Sequence, residues 1–158
     1  QLMEQGGAVD EVNSAVGEFG RQISNPIPVN GPIGAITYLS RLLTTSGEKV
    51  FFHRLRSKNT IDLYELVSQS GRFWDILFVD MYFTRKSRKI PSGYRSQERT
   101  LMLRGTNRYY PDFPRMFHSE LTNFSVKAIG MSIADPDAKA ISDLRRPPAH
   151  EELLIRYS

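Results

Sequence analysis

Two groups of residues in this chain are of a type and spacing that would do chemistry. The first is cationic. Arg85, Lys86, Arg88, Lys89, Arg95, Arg99, Arg104 and Arg108 stand against one acid, Glu98, so the 24 residues from Arg85 to Arg108 carry a net charge of +7. Ile90-Pro91-Ser92-Gly93 marks a loop within the run, and Tyr94, Tyr109 and Tyr110 are interleaved with it. Lysine and arginine neutralise phosphates and release counterions, and a tyrosine ring stacks on an unpaired base. The stretch is therefore expected to meet an anionic partner, either nucleic acid or an acidic protein surface, with an anionic lipid surface as a further option. The same composition also describes a solvated loop partly neutralised by acids elsewhere in the chain. Arg54, Arg56 and Lys58 form a second short run. They are expected to join the first at one basic end of a sheet, because in an up-and-down order the second and fourth strands run the same way.

The second group is catalytic in type: Asp80, His53 and Tyr82. Asp80 lies in an apolar strand with Trp74, Phe78 and Tyr82 on its face. An unpaired carboxylate among aromatics has a raised pKa, as a general acid requires. The bland alternative is an Asp that ends the buried part of the strand or pairs with Arg54 or Arg41. Asp75 and Asp80, five apart, point to opposite faces and are no carboxylate pair. His53 stands alone in its strand, which suits a core histidine with one hydrogen bond better than a ligand or a base. His118 and His150 lie in other elements and complete no ligand set, so no metal and no cofactor is expected. Asp135-Pro136-Asp137 resembles a calcium loop only in its first residues, and a helix N-terminus explains it better.

Familiar catalytic signatures are missing: there is no nucleophile elbow, phosphate-binding loop, dinucleotide-binding glycine motif or paired-histidine zinc motif. The chain has no cysteine, which excludes disulfides, thiol catalysis and cysteine-bound metals. A binder is therefore expected rather than an enzyme. The net charge of +4 hides a strong polarity. Residues 1–40 hold four acids against Arg21, a net of −3; residues 41–115 carry +8; residues 116–158 carry −1. At 158 residues, 40% hydrophobic and 24% charged, the composition is that of one globular domain rather than a disordered chain. No apolar run approaches the roughly 18 residues of a transmembrane helix. The chain starts at Gln1, which leaves a processed periplasmic or secreted form open beside the cytoplasmic location the reading favours.

The elements that must position these groups are read as an α+β domain. Val9, Val12, Val16, Phe19 and Ile23 recur at helical spacing and predict an N-terminal helix over 1–24. A Pro-rich linker follows at 25–34. A four- to five-stranded antiparallel meander is predicted over 35–104, with strands at Ala35–Thr44, Val50–Ser57, Thr60–Gln69, Phe73–Phe83 and Thr100–Arg104. Residues 112–158 are expected to form two or three helices packed on the sheet. The first is capped by Asp112 and carries Phe113, Phe117, Leu121, Phe124 and Ala128. The second is capped by Asp135, and a last short one spans Ala149–Tyr157. The Val/Phe stripe of the first helix, or the two-sided apolar strand 73–83, would be the surface by which the chain docks into a larger complex or pairs with a second copy.

Overall fold

A run rich in β-branched and aromatic residues, cut by short polar turns, forms the middle of the fold. The computed structural model describes residues 8–99, 102–123 and 133–157. Its strands are β1 (Ile27–Pro28), β2 (Leu42–Thr44), β3 (Val50–Lys58), β4 (Ile61–Ser68), β5 (Trp74–Asp80), β6 (Tyr94–Ser96), β7 (Met102–Leu103), β8 (Gly105–Thr106) and β9 (Ile133–Ala134). Its helices are α1 (Gly31–Ser40), α2 (Phe117–Asn123), a 3-10 helix at Pro136–Asp143 and α3 (Pro148–Arg156).

β3, β4 and β5 pair as consecutive antiparallel neighbours. Asn59, at φ 57°, makes the tight turn from β3 to β4, a left-handed position that asparagine tolerates. The sheet is mixed, not a meander: its order is β1-β5-β4-β3-β8, with β1 parallel to β5 and β8 parallel to β3. Pro28 is admissible in β1 because that strand lies at the edge. β2 pairs with β6, and β7 with β9, outside this sheet. β5 is covered on both faces by its own chain. Leu77 and Val79 belong to the main core with Ile27, Ile36, Leu39, Phe51, Phe113 and Phe117. Ile76 and Phe78 join Ile61 and Leu63 in a second core, closed by Leu55 and by Leu153, Leu154 and Tyr157 of the C-terminal segment.

The predicted architecture is corrected in three further places. The described part of the expected N-terminal helix, residues 8–24, is irregular. Ser14, Gly17 and Gly20 have φ of 59°, 94° and 76°, and each left-handed residue interrupts an α-helix. Of its apolar stripe, Phe19 is buried but Val16 is 66% exposed, so the stripe has no common face. The linker and first strand (25–44) instead hold α1. Pro32 sits in its first turn, and Ala35, Ile36, Tyr38 and Leu39 are buried; proline at a helix start is as good a signal as proline in a turn. The fifth strand expected at Thr100–Arg104 is split, its two described residues in β7 pairing away from the main sheet. The C-terminal part is helical in pieces: α2, the 3-10 helix capped by Asp135, and α3. Phe124 and Ala128 lie outside the described residues. No helix among the described residues is long and apolar enough to cross a membrane.

β8 reaches β3 only because Gly105 lacks a side chain: a β-carbon there would fall inside the Phe52 ring. Gly105→Ala should therefore destabilise the fold by about 1–3 kcal/mol, as overpacking does. A urea denaturation midpoint unchanged by this substitution would contradict the packing.

Candidate functional site

The basic loop is held at both ends and in its middle. Beyond β5 the chain turns along β1, where the Phe83 N–H donates to the Val29 carbonyl at 3.1 Å and the Ser87 N–H to the Pro28 carbonyl at 2.8 Å. The Tyr38 hydroxyl, on α1, donates to the Lys89 carbonyl at 2.6 Å. β6 then locks the far end to β2. The Arg21 guanidinium donates to the Ser92 carbonyl and to Asp75. Asp75 also accepts the Tyr94 hydroxyl at 2.7 Å, and Tyr94 is buried.

Much of the loop's charge is met by the irregular N-terminal segment. Asp10 accepts from Arg85 Nη1 at 2.7 Å, from the Arg88 backbone N–H at 2.9 Å and from Arg88 Nη2 at 3.3 Å. Glu11 accepts from Lys89 Nζ at 3.0 Å. The Arg85 bond first, then those of Arg88, hold the Asp10 carboxyl well below its usual range. Glu11 is lowered in the same sense by Lys89 and Asn25. Both carboxylates remain charged, and both contacts remain, throughout the neutral and mildly acidic range.

Two further cations, Arg41 and Lys86, come together on one cavity. Arg41 follows α1 directly, and Lys86 stands in the loop between Arg85 and Ser87. Both line a cavity of about 290 Å³ with Tyr38, Ser87, Arg88, Ser96 and Gln97, and with Glu98 as its sole acid. Neither forms an ion pair among the described residues, and the buried Arg41 Nε has no hydrogen-bond acceptor. Burial, then the neighbouring Arg41 charge, pushes the Lys86 ammonium below the usual lysine range. Two like charges on one cavity, with Glu98 as the acid there among the described residues, form a surface suited to an anion. Guanidinium supplies forked donors for a carboxylate or phosphate, and ammonium supplies a point charge.

The other sequence candidates are dispersed. Arg104 is buried, and its guanidinium donates to Asp135 at 3.1 Å, to the Leu42 carbonyl at 3.2 Å and to Gln97 at 2.7 Å, so it is a structural cation and not a surface contact. Arg95, Arg99 and Arg108 are exposed. Arg54 forms a long 3.8 Å pair with Asp62. Arg56 and Lys58 line another cavity with Arg21 and Arg156, which shares no residue with the Arg41–Lys86 cavity. β3 and β5 do end at the same sheet edge, where Lys58 pairs with Ile61 and Ile61 with Asp80. The chain beyond Asp80 then turns back along β1, so the two basic runs face different cavities.

Asp80, His53 and Tyr82 are not assembled into one centre. His53 pairs in register with Glu65 and Glu65 with Ile76, four residues along β5 from Asp80. At strand rise this is about 13 Å before any cross-strand distance is added. Burial raises the Asp80 pKa, against a Tyr82 N–H bond and with help from Asp62. His53 is instead part of a buried cluster that the sequence did not disclose. Its Nδ1 accepts the Tyr110 N–H at 3.0 Å, so Nε2 carries the proton and donates to Glu65 at 2.7 Å. His150 Nε2 donates to Glu65 at 2.7 Å, and Arg146 grips both carboxylate oxygens at 2.7 and 2.8 Å. Phe113 stacks on the His53 ring at 4.1 Å. Burial opposes the Glu65 charge, but the bonds from Arg146, His150 and His53 outweigh it and hold the carboxyl far below its usual range. With both Nε2 atoms and the guanidinium directed at the carboxylate, the cluster is a staple. Among the described residues no group of His, Asp or Glu is arranged to hold a metal ion.

Glu65→Gln leaves Arg146 without its counterion and should lower stability by about 3–5 kcal/mol. Burial also lowers the His53 pKa from its ordinary 6.5, against the pull of Glu65. The unfolded chain therefore takes up the proton first. The stability due to neutral His53 is complete above its ordinary value and is lost as pH falls towards the depressed one, by up to about 1.4 kcal/mol per pH unit. Urea midpoints measured between pH 8 and about 5 should show this slope, and His53→Asn should flatten it. A slope that persists unchanged in that variant would refute the assignment. Comparison of the chain with family models, with curated proteins and with solved structures returned no match.

Proposed function

We propose that this chain is a non-enzymatic binding module that holds an acidic partner protein on its basic loop, with one carboxylate seated between Arg41 and Lys86. The observation that carries the reading is the placement of Arg41 and Lys86 on one cavity beside the basic loop. Arg85, Arg88 and Lys89 each have a carboxylate partner, whereas Arg41 and Lys86 share a cavity and form no ion pair among the described residues. The chain supplies its own example of the fitting chemistry. Asp10 and Glu11, two successive acids on an irregular segment, lie across the same loop and take its guanidinium, ammonium and backbone donors. The contacts of Asp10 and Glu11 support an acidic peptide as the occupant of this surface. Base stacking has less support, because Tyr94, the aromatic residue within the loop, is buried and its hydroxyl is engaged.

Fluorescence anisotropy with labelled polyglutamate, at several salt concentrations, tests the proposal. Binding should weaken with salt and fall about tenfold, or 1.4 kcal/mol, in Arg41→Gln and again in Lys86→Gln. Asp10→Asn should strengthen binding, because it removes the competing internal carboxylate. No binding at low salt, or equal binding by the Arg41 and Lys86 variants, would sink the reading. A single-stranded oligonucleotide that bound more tightly, with log K falling by about 0.7 per phosphate against log salt, would replace it with nucleic acid.

A structural role for the two cations predicts a different outcome in stability. Because they repel each other without a counterion, Lys86→Gln should leave the melting temperature unchanged or raise stability by about 0.5–1 kcal/mol, as surface-charge optimisation does. A loss of stability in that variant would show that Lys86 serves the fold.

A further inference from the structure

A second concave surface lies beside α3, built independently of the basic loop. One hollow of about 400 Å³ is lined by Leu55, Arg56, Tyr109, Arg146, Leu154, Ile155 and Tyr157. A second, of about 280 Å³, adjoins it across Arg56 and Tyr157, with Leu63 and Phe78 in its wall and Lys58 and Arg156 among its cations. Among the described residues no acidic side chain lines either hollow. Two apolar side chains at the rim of the first hollow are open, Ile155 at 72% exposed and Tyr109 at 56%, whereas Leu63 and Phe78 in the second are buried. Three of the arginines are committed, Arg21 to Asp75, Arg56 to the Tyr157 carbonyl and Arg146 to Glu65. Lys58 and Arg156 have no ion-pair partner among the described residues.

We infer that this double groove receives an amphipathic acidic segment of a partner protein, one apolar side chain in each hollow and its carboxylates towards Lys58 and Arg156. Three features argue for this occupant. Two adjoining hollows separated by a single ring suit successive anchors of one segment, as in helix-in-groove recognition. The floor is apolar and already packed, so an inserted side chain meets formed walls. The described lining is cationic or neutral in charge, so a basic segment would be repelled and an acidic one drawn in. Leu154 and Ile155 of α3 line the groove, and Arg146 in its wall is anchored by Glu65.

The test is selection of a random peptide library displayed on phage against the full chain. The winners are then synthesised and titrated against wild type, Ile155→Asp and the double variant Lys58→Glu, Arg156→Glu. All three substituted residues are exposed, and circular dichroism melts of the variants should match wild type. The expected winners carry Asp or Glu together with apolar residues at helical spacing. They should lose about tenfold or more in affinity in each variant, and bind Arg41→Gln, Lys86→Gln protein normally, which separates this groove from the basic-loop site. Winners that are basic or uncharged, that bind the charge-reversed protein equally, or that follow the Arg41 and Lys86 substitutions would overturn the inference. A wild-type mass in solution that doubles and returns to one copy in Ile155→Asp would overturn it in favour of self-association. Binding to phosphatidylserine vesicles, lost in the Lys58 and Arg156 variant and with no peptide enriched, would overturn it in favour of a lipid surface.

Discussion

A carboxylate with no solvent contact sits in the middle of the central strand β4, and the arrangement of the C-terminal third depends on it. Burying a lone ionised carboxylate costs several kcal/mol, and Glu65 is tolerable there only because four donors converge on it. The donors belong to three residues at different distances along the chain. His53 arrives from the neighbouring strand; Arg146 precedes α3, and His150 lies in its first turn. The pair to His53 is strand register made visible, since the two residues are partners across β3 and β4. The pairs to Arg146 and His150 fix where α3 begins and how it lies. Once α3 is placed, Leu153, Leu154 and Tyr157 have no choice but to cover Ile61, Leu63, Ile76 and Phe78. One ionic contact thus sets the position of the second core and the shape of the groove on its outer side.

A second buried charge does the equivalent for the other end of the molecule. Arg104 lies between β7 and β8, and its guanidinium joins Asp135 to the Leu42 carbonyl and the Gln97 side chain. Asp135 in turn caps the 3-10 helix through the Asp137 N–H and meets Lys49. Segments that are far apart in sequence are joined at a point where no water competes. The same device removes a cation from the surface. Charge counted along the chain therefore overstates the charge that a partner would meet, because Arg104 faces Asp135, Arg85 and Arg88 face Asp10, and Lys89 faces Glu11.

What could be read from the sequence follows from how local the determining interactions are. β3, β4 and β5 are adjacent in sequence and joined by short turns, so alternation and turn chemistry sufficed to find them. The parallel edge strands β1 and β8 are two residues each, and their pairing is set by contacts across the sheet that no local pattern records. The N-terminal spacing of Val9, Val12, Val16, Phe19 and Ile23 imitated a helix. Gly17 and Gly20 were the contrary signal, since each takes a left-handed conformation. Gly31-Pro32 was compatible with a turn and with a helix start; the apolar residues Ala35, Ile36 and Leu39 decided for the helix once they had a core to face. Arg41 acquired its place beside Lys86 only through that helix, and Glu65, His53, Arg146 and His150 were invisible as a group because nothing in the sequence links residues in a strand to residues some eighty positions later.

The two kinds of charge in this fold point to different purposes. Buried groups are compensated: Glu65 and Arg104 each have their donors or acceptors filled. Asp80 and Asp62, like charges on neighbouring strands, are each relieved by a bond, from the Tyr82 N–H and from Ser57. Arg41 and Lys86 break the pattern: burial first and then the Arg41 charge disfavour the Lys86 proton, and neither cation forms an ion pair among the described residues. Unrelieved repulsion lowers the stability of the folded state, and a fold selected for stability alone would remove it. An arrangement that weakens the free protein and would strengthen an anion-bound one couples stability to binding, since a ligand that prefers the folded state shifts unfolding by its own binding free energy. That coupling, rather than the count of basic residues, is the physical reason to look for function at this end of the sheet.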